Sequence, residues 1–364
     1  MDRMQVIYRV QAMPRDIEAR ARAIAVEQSV EMPPHALRNQ HVSDHILGRV
    51  ENIVADGPRH HLVTIGLSME TTGFEAGQLM NMLFGNSSLH HDMELIDVDF
   101  PASAADAFGG PRFGIEGLRH LVRAGPRPLT CTALKPQGST IDELANLAGT
   151  FAAAGIDIIK DDHGLADQAS APFGTRVRAI QRAVSAANRA TGGHTLYAPS
   201  LTGGPKRQRA QLQSARDAGV GAILLAPMIS GLGALQELAA EGLPILAHPA
   251  LAGAGRIRIP LLLGKLFRLS GADAVIYPNH GGRFSFGPEL CHALATTLRA
   301  PWLGLAASAP VPAGGMHPER VEELVDFYGR DVMLLIGGAL LEAEDVAAAA
   351  RSFVDRVAAM EERR

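Results

Sequence analysis

The sequence predicts an α/β protein in two parts, a small N-terminal α+β domain followed by a C-terminal (β/α)8 TIM barrel. Three observations carry this. From about residue 128, eight short apolar runs alternate with helical patterns. The helices between them have start and stop signals. Residues 1 to about 110 interleave strands and helices without that regularity. Strand and helix units in alternation argue for a parallel sheet, and eight of them in roughly 220 residues for a closed barrel. A doubly wound open sheet would use fewer strands and a glycine-rich first turn, and none follows "PLTCTAL".

In the first part, "MQVIYRV", "HLVTIGLSM" and "MELIDVDFP" read as strands, "DIEARARAIAVEQS" and "EAGQLMNMLFG" as helices. This domain is set at 1–110. The next stretch, "FGGPRFGIEGLRHLVRAGPRP", is rich in Gly and Pro around one short helix, and 111–127 is taken as a linker. The barrel then covers 128–364. Its strands are "PLTCTALK", "GIDIIK", "HTLYAPSL", "GAILLAP", "PILAHP", "ADAVIYP", "APVPAGG" and "VMLLIGG". The helix after the first has Thr140 and Glu143 in capping-box spacing. Leu144, Leu147, Ala148 and Phe151 form its apolar face, and Gly155 its stop. In "HPERVEELVDFYG", Pro318 opens the first turn, Val321, Leu324, Val325 and Tyr328 share a face, and Gly329 ends the helix.

Composition narrows the function classes. Of 364 residues, 47% are hydrophobic and 20% charged, enough for a sizeable core and against disorder. A net charge of -4 supplies no electrostatic reason to bind nucleic acid. No uncharged apolar run of about 18 residues occurs, so no membrane contact is expected, and "MDRMQVIYRVQAM" reads as a strand rather than a signal peptide. Cys131 and Cys291 form neither a disulfide framework nor a metal spacing. The expectation is a soluble cytoplasmic protein. The pairs His60–His61 and His90–His91 are expected at the surface, and Met69, Met80, Met82 and Met93 in the core.

In such a barrel the active site lies at the C-terminal strand ends. Those ends hold Lys135 after the first strand, then Lys160, Asp161, Asp162 and His163 after the second, and His248 after the fifth. "YPNHGGRF" follows the sixth, and the pairs Gly314–Gly315 and Gly337–Gly338 the seventh and eighth. Alternation places Ile158, Lys160 and Asp162 on one face of their strand and Ile159 and Asp161 on the other. A lysine enclosed by apolar groups has its charge disfavoured. As a neutral amine it can act as a base or add carbon dioxide to form a carbamate. Beside Asp162 a carbamate would supply the anionic oxygen ligands that suit Mg2+. The glycine pairs allow backbone N–H groups to approach a phosphate.

These residues resemble those of a known superfamily, the large subunit of ribulose-bisphosphate carboxylase (RuBisCO) and its non-carboxylating, RuBisCO-like (form IV) relatives. The matching segments are "TALKPQG", "AGIDIIKDDHG", "ILAHPAL", "PAGGMHP" and "LLIGGAL", in order along the barrel, with "EQS" at 27–29 and "GN" at 85–86 before it. The resemblance implies a ferredoxin-like N-terminal domain. It implies that Lys160 is the carbamylated lysine and Asp162 the adjacent metal-binding aspartate. Lys135 resembles the lysine that assists enolisation, and His248 the histidine after the fifth strand. Gly314, Gly315, Gly337 and Gly338 resemble the phosphate-binding glycines. Glu27 and Asn86 resemble residues lent to the neighbouring subunit's site, which implies a homodimer or an assembly of dimers.

The departures from the carboxylase are informative. His163 stands where the third metal ligand is a glutamate, and imidazole suits softer ions than Mg2+, so either the divalent metal differs or water takes this ligand's place. Gln137 replaces a lysine. "YPNHGGRFSF" lacks the catalytic lysine of the mobile loop, and Arg283 falls nearest its place. Pro249 and Ala252 replace an arginine and a histidine, and Ala313 a substrate-binding serine. One phosphate site is intact and the other dismantled. The resemblance then implies metal-assisted enolisation of a phosphorylated ketose without carboxylation, with isomerisation of 5-methylthioribulose 1-phosphate in sulfur salvage as the leading expectation. The alternatives are a 2,3-diketo-5-methylthiopentyl-1-phosphate enolase, a decarboxylase of a phosphorylated branched 3-oxo sugar acid, and a non-enzymatic sugar-phosphate-binding barrel.

Overall fold

A computed structural model describes residues 2–361. Its N-terminal sheet comprises β1 (Arg3–Gln11), β2 (Arg49–Ala55), β3 (His60–Ser68) and β4 (Met93–Asp99), antiparallel in the order β2-β3-β1-β4. Helix α1 (Ile17–Glu27) joins β1 to β2 and α2 (Ala76–Phe84) joins β3 to β4. This is the ferredoxin-like βαββαβ order. Strand β1 forms because its apolar residues fall at every second position: Met4, Val6, Tyr8 and Val10 are fully buried. The Tyr8 hydroxyl donates to Leu83 O at 2.6 Å and fixes α2 on the sheet.

Strand β2 was not among the expected strands. It is the exposed edge of the sheet, and its pairing with β3 shifts register between Val50 and Asn52. A bulge of this kind breaks the period-2 pattern, so "RVENIVA" shows no alternation to read. His61 corrects a second expectation, for it is buried on β3. It shares a face with Val63 and Ile65 (the same alternation, followed two residues back, points to it). Met69 and Met93 are core residues as expected.

After the short helix α3 (Ser103–Phe108), α4 (Gly114–Val122) occupies the stretch expected as a linker. It is more than a tether. Ile115, Leu118 and Val122 join the cluster of side chains that fills the barrel interior, with Leu129, Cys131, Ile158, Leu224, Leu246, Ile276 and Val311. The helix thus plugs the barrel at the strands' N-terminal ends, and Ile115 N–H donates to Ala307 O just before the seventh barrel strand.

The barrel strands are β5 (Leu129–Leu134), β6 (Ile158–Asp161), β7 (Leu196–Ala198), β8 (Ile223–Leu225), β9 (Ile245–Ala247), β10 (Ala274–Pro278), β11 (Ala309–Ala313) and β12 (Met333–Leu335). They pair in parallel in the order β7-β6-β5-β12-β11-β10-β9-β8. A bridge between Ser200 and Leu224, with Leu201 N–H on Leu224 O at 2.9 Å, closes the ring. Helix α5 (Ile141–Ala153) starts at the expected capping box, with the Thr140 and Glu143 side chains bonding reciprocally. Gly155 follows at φ +89°, a left-handed stop that glycine takes without Cβ strain. Helix α6 (Phe173–Thr191) packs on β7 between α5 and the helix Pro205–Ala218. The small sheet is stitched to the barrel at β4, where Leu95 exchanges backbone hydrogen bonds of 2.9 Å with Arg256 and Arg258. Lys265 pairs there with Asp97 at 2.7 Å.

Candidate active site

The four ionisable residues at the end of β6 divide by face. Ile158 lies in the interior cluster and Ile159 in the outer layer between strands and helices, so Lys160 and Asp162 follow Ile158 into the barrel mouth while Asp161 points outward. Asp161 is fully buried there. Its carboxylate accepts from Tyr197 Oη at 2.7 Å, Arg176 Nη2 at 3.1 Å and Ser200 N at 3.1 Å. Arg176 of α6 is buried as completely, and its Nη1 donates to the carbonyls of Ala166 and Ala171 at 2.6 and 2.7 Å. Asp161 is therefore an anchor for the strand end. The sequence reading left it without a role; an acid on the covered face of a strand requires a buried partner, and the arginine of the following helix supplies it.

Lys160 is only 4% exposed, and its Nζ donates to Asp161 O at 3.0 Å. Burial lowers the pKa of this amine, with nearby Lys135 adding to the effect against the pull of Cys131, Asp162 and Asp161. Lys135 follows β5 directly, and its Nζ lies 3.3 Å from Asp162 Oδ1. His163 Nδ1 lies 3.6 Å from the same oxygen. Burial alone would raise the Asp162 pKa, but the contact with His163 and the charges of Lys135 and Lys160 outweigh it. They hold the carboxyl well below the usual range.

His248, after β9, stacks on His163 with ring centroids 4.4 Å apart and planes within 7°. Burial, then the charges of Lys160 and His163, push its pKa down to about 3. It is neutral at ordinary pH. Its Nδ1 accepts from Ala250 N–H at 3.2 Å, so Nε2 carries the proton and is the nitrogen able to donate. Lys135, Lys160, Asp162, His163 and His248 thus come together from three strands. Among the described residues, no group of three His, Cys, Asp or Glu side chains converges as a ready metal site. Asp162 and His163 supply two donors, and Lys160 shares the face of the strand that carries Asp162.

The glycine turns lie beyond the next strands. Gly314 and Gly315 have φ of +86° and +65°, and Gly315 rests on the loop after β10: a Cβ there would stand 2.6 Å from Gly282 Cα. Gly337 and Gly338 open the one-turn helix Gly338–Leu341. Arg320, not singled out from sequence, pairs with Glu323 through two hydrogen bonds and donates its Nη1 to Gly315 O at 3.4 Å, bracing that turn. Arg283 is exposed on the loop after β10, its guanidinium 5.0 Å over the Phe284 ring. On the N-terminal domain, Asn86 Nδ2 donates to Glu27 Oε1 at 3.0 Å and to Glu31 Oε1 at 2.9 Å, which joins two expected site residues far apart in sequence.

Comparison with known proteins places the chain in a family. Residues 114–282 match the family of the ribulose bisphosphate carboxylase large chain, catalytic domain. The chain is 52% identical over 347 residues to a 5-methylthioribulose-1-phosphate isomerase of Rhodospirillum rubrum, covering 94% of this chain and 93% of that one. It is 34% identical over 289 residues to a 2,3-diketo-5-methylthiopentyl-1-phosphate enolase of Exiguobacterium sibiricum, covering 76% and 72%. The crystal structure of a RuBisCO-like protein from Rhodopseudomonas palustris superposes over 100% of both chains with a TM-score of 0.91 at 48% identity. Carboxylases of similar fold have been solved as a dimer and as an octamer. This chain belongs to the family of the RuBisCO large chain, as an enzyme among its RuBisCO-like members.

Proposed function

We propose that the protein isomerises 5-methylthioribulose 1-phosphate by moving protons along the carbon chain, and that it does not carboxylate. The observation that carries this reading is the pairing of a proton-transfer centre (Lys135, Asp162 and a neutral His248) with the glycine turns Gly314–Gly315 and Gly337–Gly338 after the neighbouring strands β11 and β12, while Pro249 and Ala252 stand where the carboxylase has an arginine and a histidine. The 52% identity to a protein named for this activity supports it.

Lys135, acting as the neutral amine, takes the proton beside the substrate carbonyl and delivers it to the neighbouring carbon, and Asp162, 3.3 Å away, holds the intervening ammonium. The His248 Nε2–H hydrogen-bonds the enediolate oxygen and keeps its proton. The N–H groups of Gly314, Gly315, Gly337 and Gly338 hold the phosphate, with Arg283 reaching it from its loop. With a carbamate on Lys160, that group and Asp162 would offer oxygen donors to a divalent cation, Mg2+ first, while His163 as a third donor would favour a softer ion. Such a cation, when bound, polarises the carbonyl and makes the neighbouring C–H acidic. Burial favours the neutral amine that carbamylation requires, and among the described residues the Lys160 Nζ has only the Asp161 carbonyl to leave.

Glu27 and Asn86 complete the site of a second subunit in a homodimer, in this reading. The test of the reaction is proton NMR in D2O with Mg2+ and bicarbonate on 5-methylthioribulose 1-phosphate. The reading expects an isomeric pentulose phosphate with deuterium incorporated at carbons 1 to 3, and loss of that activity in Lys160→Ala. Turnover of the 2,3-diketo phosphate alone would favour the enolase activity of the more distant relative instead.

A further inference from the structure

The turn after His248 reverses the usual placement of side chains. In "PALAGAG", residues 249–255, the small Ala252 is buried in the core while the large Leu251 is 58% exposed. Leu251 also sits at φ +65°, a left-handed conformation that costs a branched side chain about 1 kcal/mol or more unless its surroundings hold it. Two hydrogen bonds hold it here, Ala252 N–H on Pro249 O at 2.9 Å and Ala254 N–H on Leu251 O at 3.0 Å. Phe74 combines exposure with positive φ as well, but Leu251 alone of the two lies three residues from a site histidine.

The segment that carries Leu251 is apolar along the chain. No side chain from 249 to 255 is polar, and Arg256 is turned away onto the carbonyls of Met93, Ser88 and His90. The turn follows β9, which stands two and three places round the ring from β11 and β12, the strands that carry the glycine turns. A phosphate on the glycine turns and an apolar group on Leu251 would therefore be held at separate places on the rim of the mouth, with β10 between them and Lys135 and Asp162 on the two strands beyond β12.

We propose that Leu251 is a specificity-determining residue whose side chain packs on the apolar, non-phosphorylated end of the substrate. The proposal rests on the function assigned above, since it takes the phosphate to lie on the glycine turns. It places the discrimination at carbon 5, where a thioether and a hydroxyl differ. A pocket contact of that size separates two ligands by about 10- to 100-fold.

The test measures Kd by titration calorimetry, with Mg2+ and bicarbonate, for two esters that differ only at that end: 5-methylthioribulose 1-phosphate and ribulose 1-phosphate. Wild type is compared with L251G and L251N, both residues being at home at positive φ so that the turn survives. The expected result is tighter binding of the thioether by wild type, and near parity in both variants through loss on the thioether alone. Equal binding of the two esters by wild type, or an unchanged ratio in L251N, overturns the proposal. Equal weakening of both esters would mark a structural role and overturns it too, as does a change in oligomeric mass by light scattering with the ratio preserved. Binding of neither ester by wild type would remove the proposed function itself, and the role of Leu251 with it.

Discussion

Asp161→Asn tests whether the placement of the catalytic strand depends on a charge that never meets substrate. The change keeps the shape, so no cavity forms. It keeps one acceptor oxygen but presents N–H donors where one of Tyr197, Arg176 or Ser200 already donates. It also leaves the fully buried Arg176 guanidinium with carbonyl partners and no counter-charge. Removing one partner of a buried pair costs about 3–5 kcal/mol. With an unfolding entropy of about 2.1 cal/mol/K per residue, a chain of 364 residues carries about 0.76 kcal/mol/K. The melting temperature should then fall by about 4–7 °C. Tyr197→Phe removes one neutral donor and leaves the ion pair, so about 1 kcal/mol and about 1–2 °C are expected. Differential scanning calorimetry at pH 7 reads both, and kcat should fall in D161N because Lys160 and Asp162 flank the disturbed residue. A D161N melting temperature within a degree of wild type, or equal shifts in the two variants, would refute the reasoning.

Three further outcomes follow from the site. His248 has its folded pKa pushed down to about 3, below its ordinary 6.5, so between those values the unfolded chain binds a proton that the folded one does not. Stability is complete above 6.5 and falls as pH drops, by up to about 1.4 kcal/mol per pH unit; in EDTA, wild type should lose about 2 kcal/mol more than H248N between pH 7 and 5, and parallel profiles would sink the assignment. Gly314→Ala meets open space at φ +86°, whereas Gly315→Ala adds a clash with the Gly282 backbone. G314A should cost about 1 kcal/mol and leave KM within a few-fold, and G315A should raise KM about tenfold or more; identical KM values would separate that turn from the substrate. Mixing unfolded K160A and E27Q chains before refolding should restore about a quarter of wild-type activity, since half of the dimers then hold one intact site; a mixture as inactive as its parents would place Glu27 outside the neighbour's site.

What could be read from the sequence depended on whether a residue answers to its strand or to the rest of the molecule. The barrel was legible because a strand buried on both faces must be apolar along its length. Lys135, Lys160, Asp162 and His248 then stood out as the ionisable groups that end such runs. Alternation even separated Lys160 and Asp162 from Asp161. It could not say that Asp161 is bonded three times over, because its partners come from residues 176, 197 and 200 on elements whose docking no local pattern records. Strand β2 was missed for a related reason, its bulge having erased the alternation that identifies edge strands. The same logic explains the stretch 111–127. Gly and Pro mark where the chain turns, and they say nothing of what Ile115, Leu118 and Val122 bury once it has turned. Leu251 was invisible from sequence, because a leucine in an apolar run is expected to be inside. Its exposure and its φ of +65° are properties of the folded turn. The proposed proton-transfer groups sit where the strands end, and the proposed discrimination between substrates on a loop that no strand pattern marks.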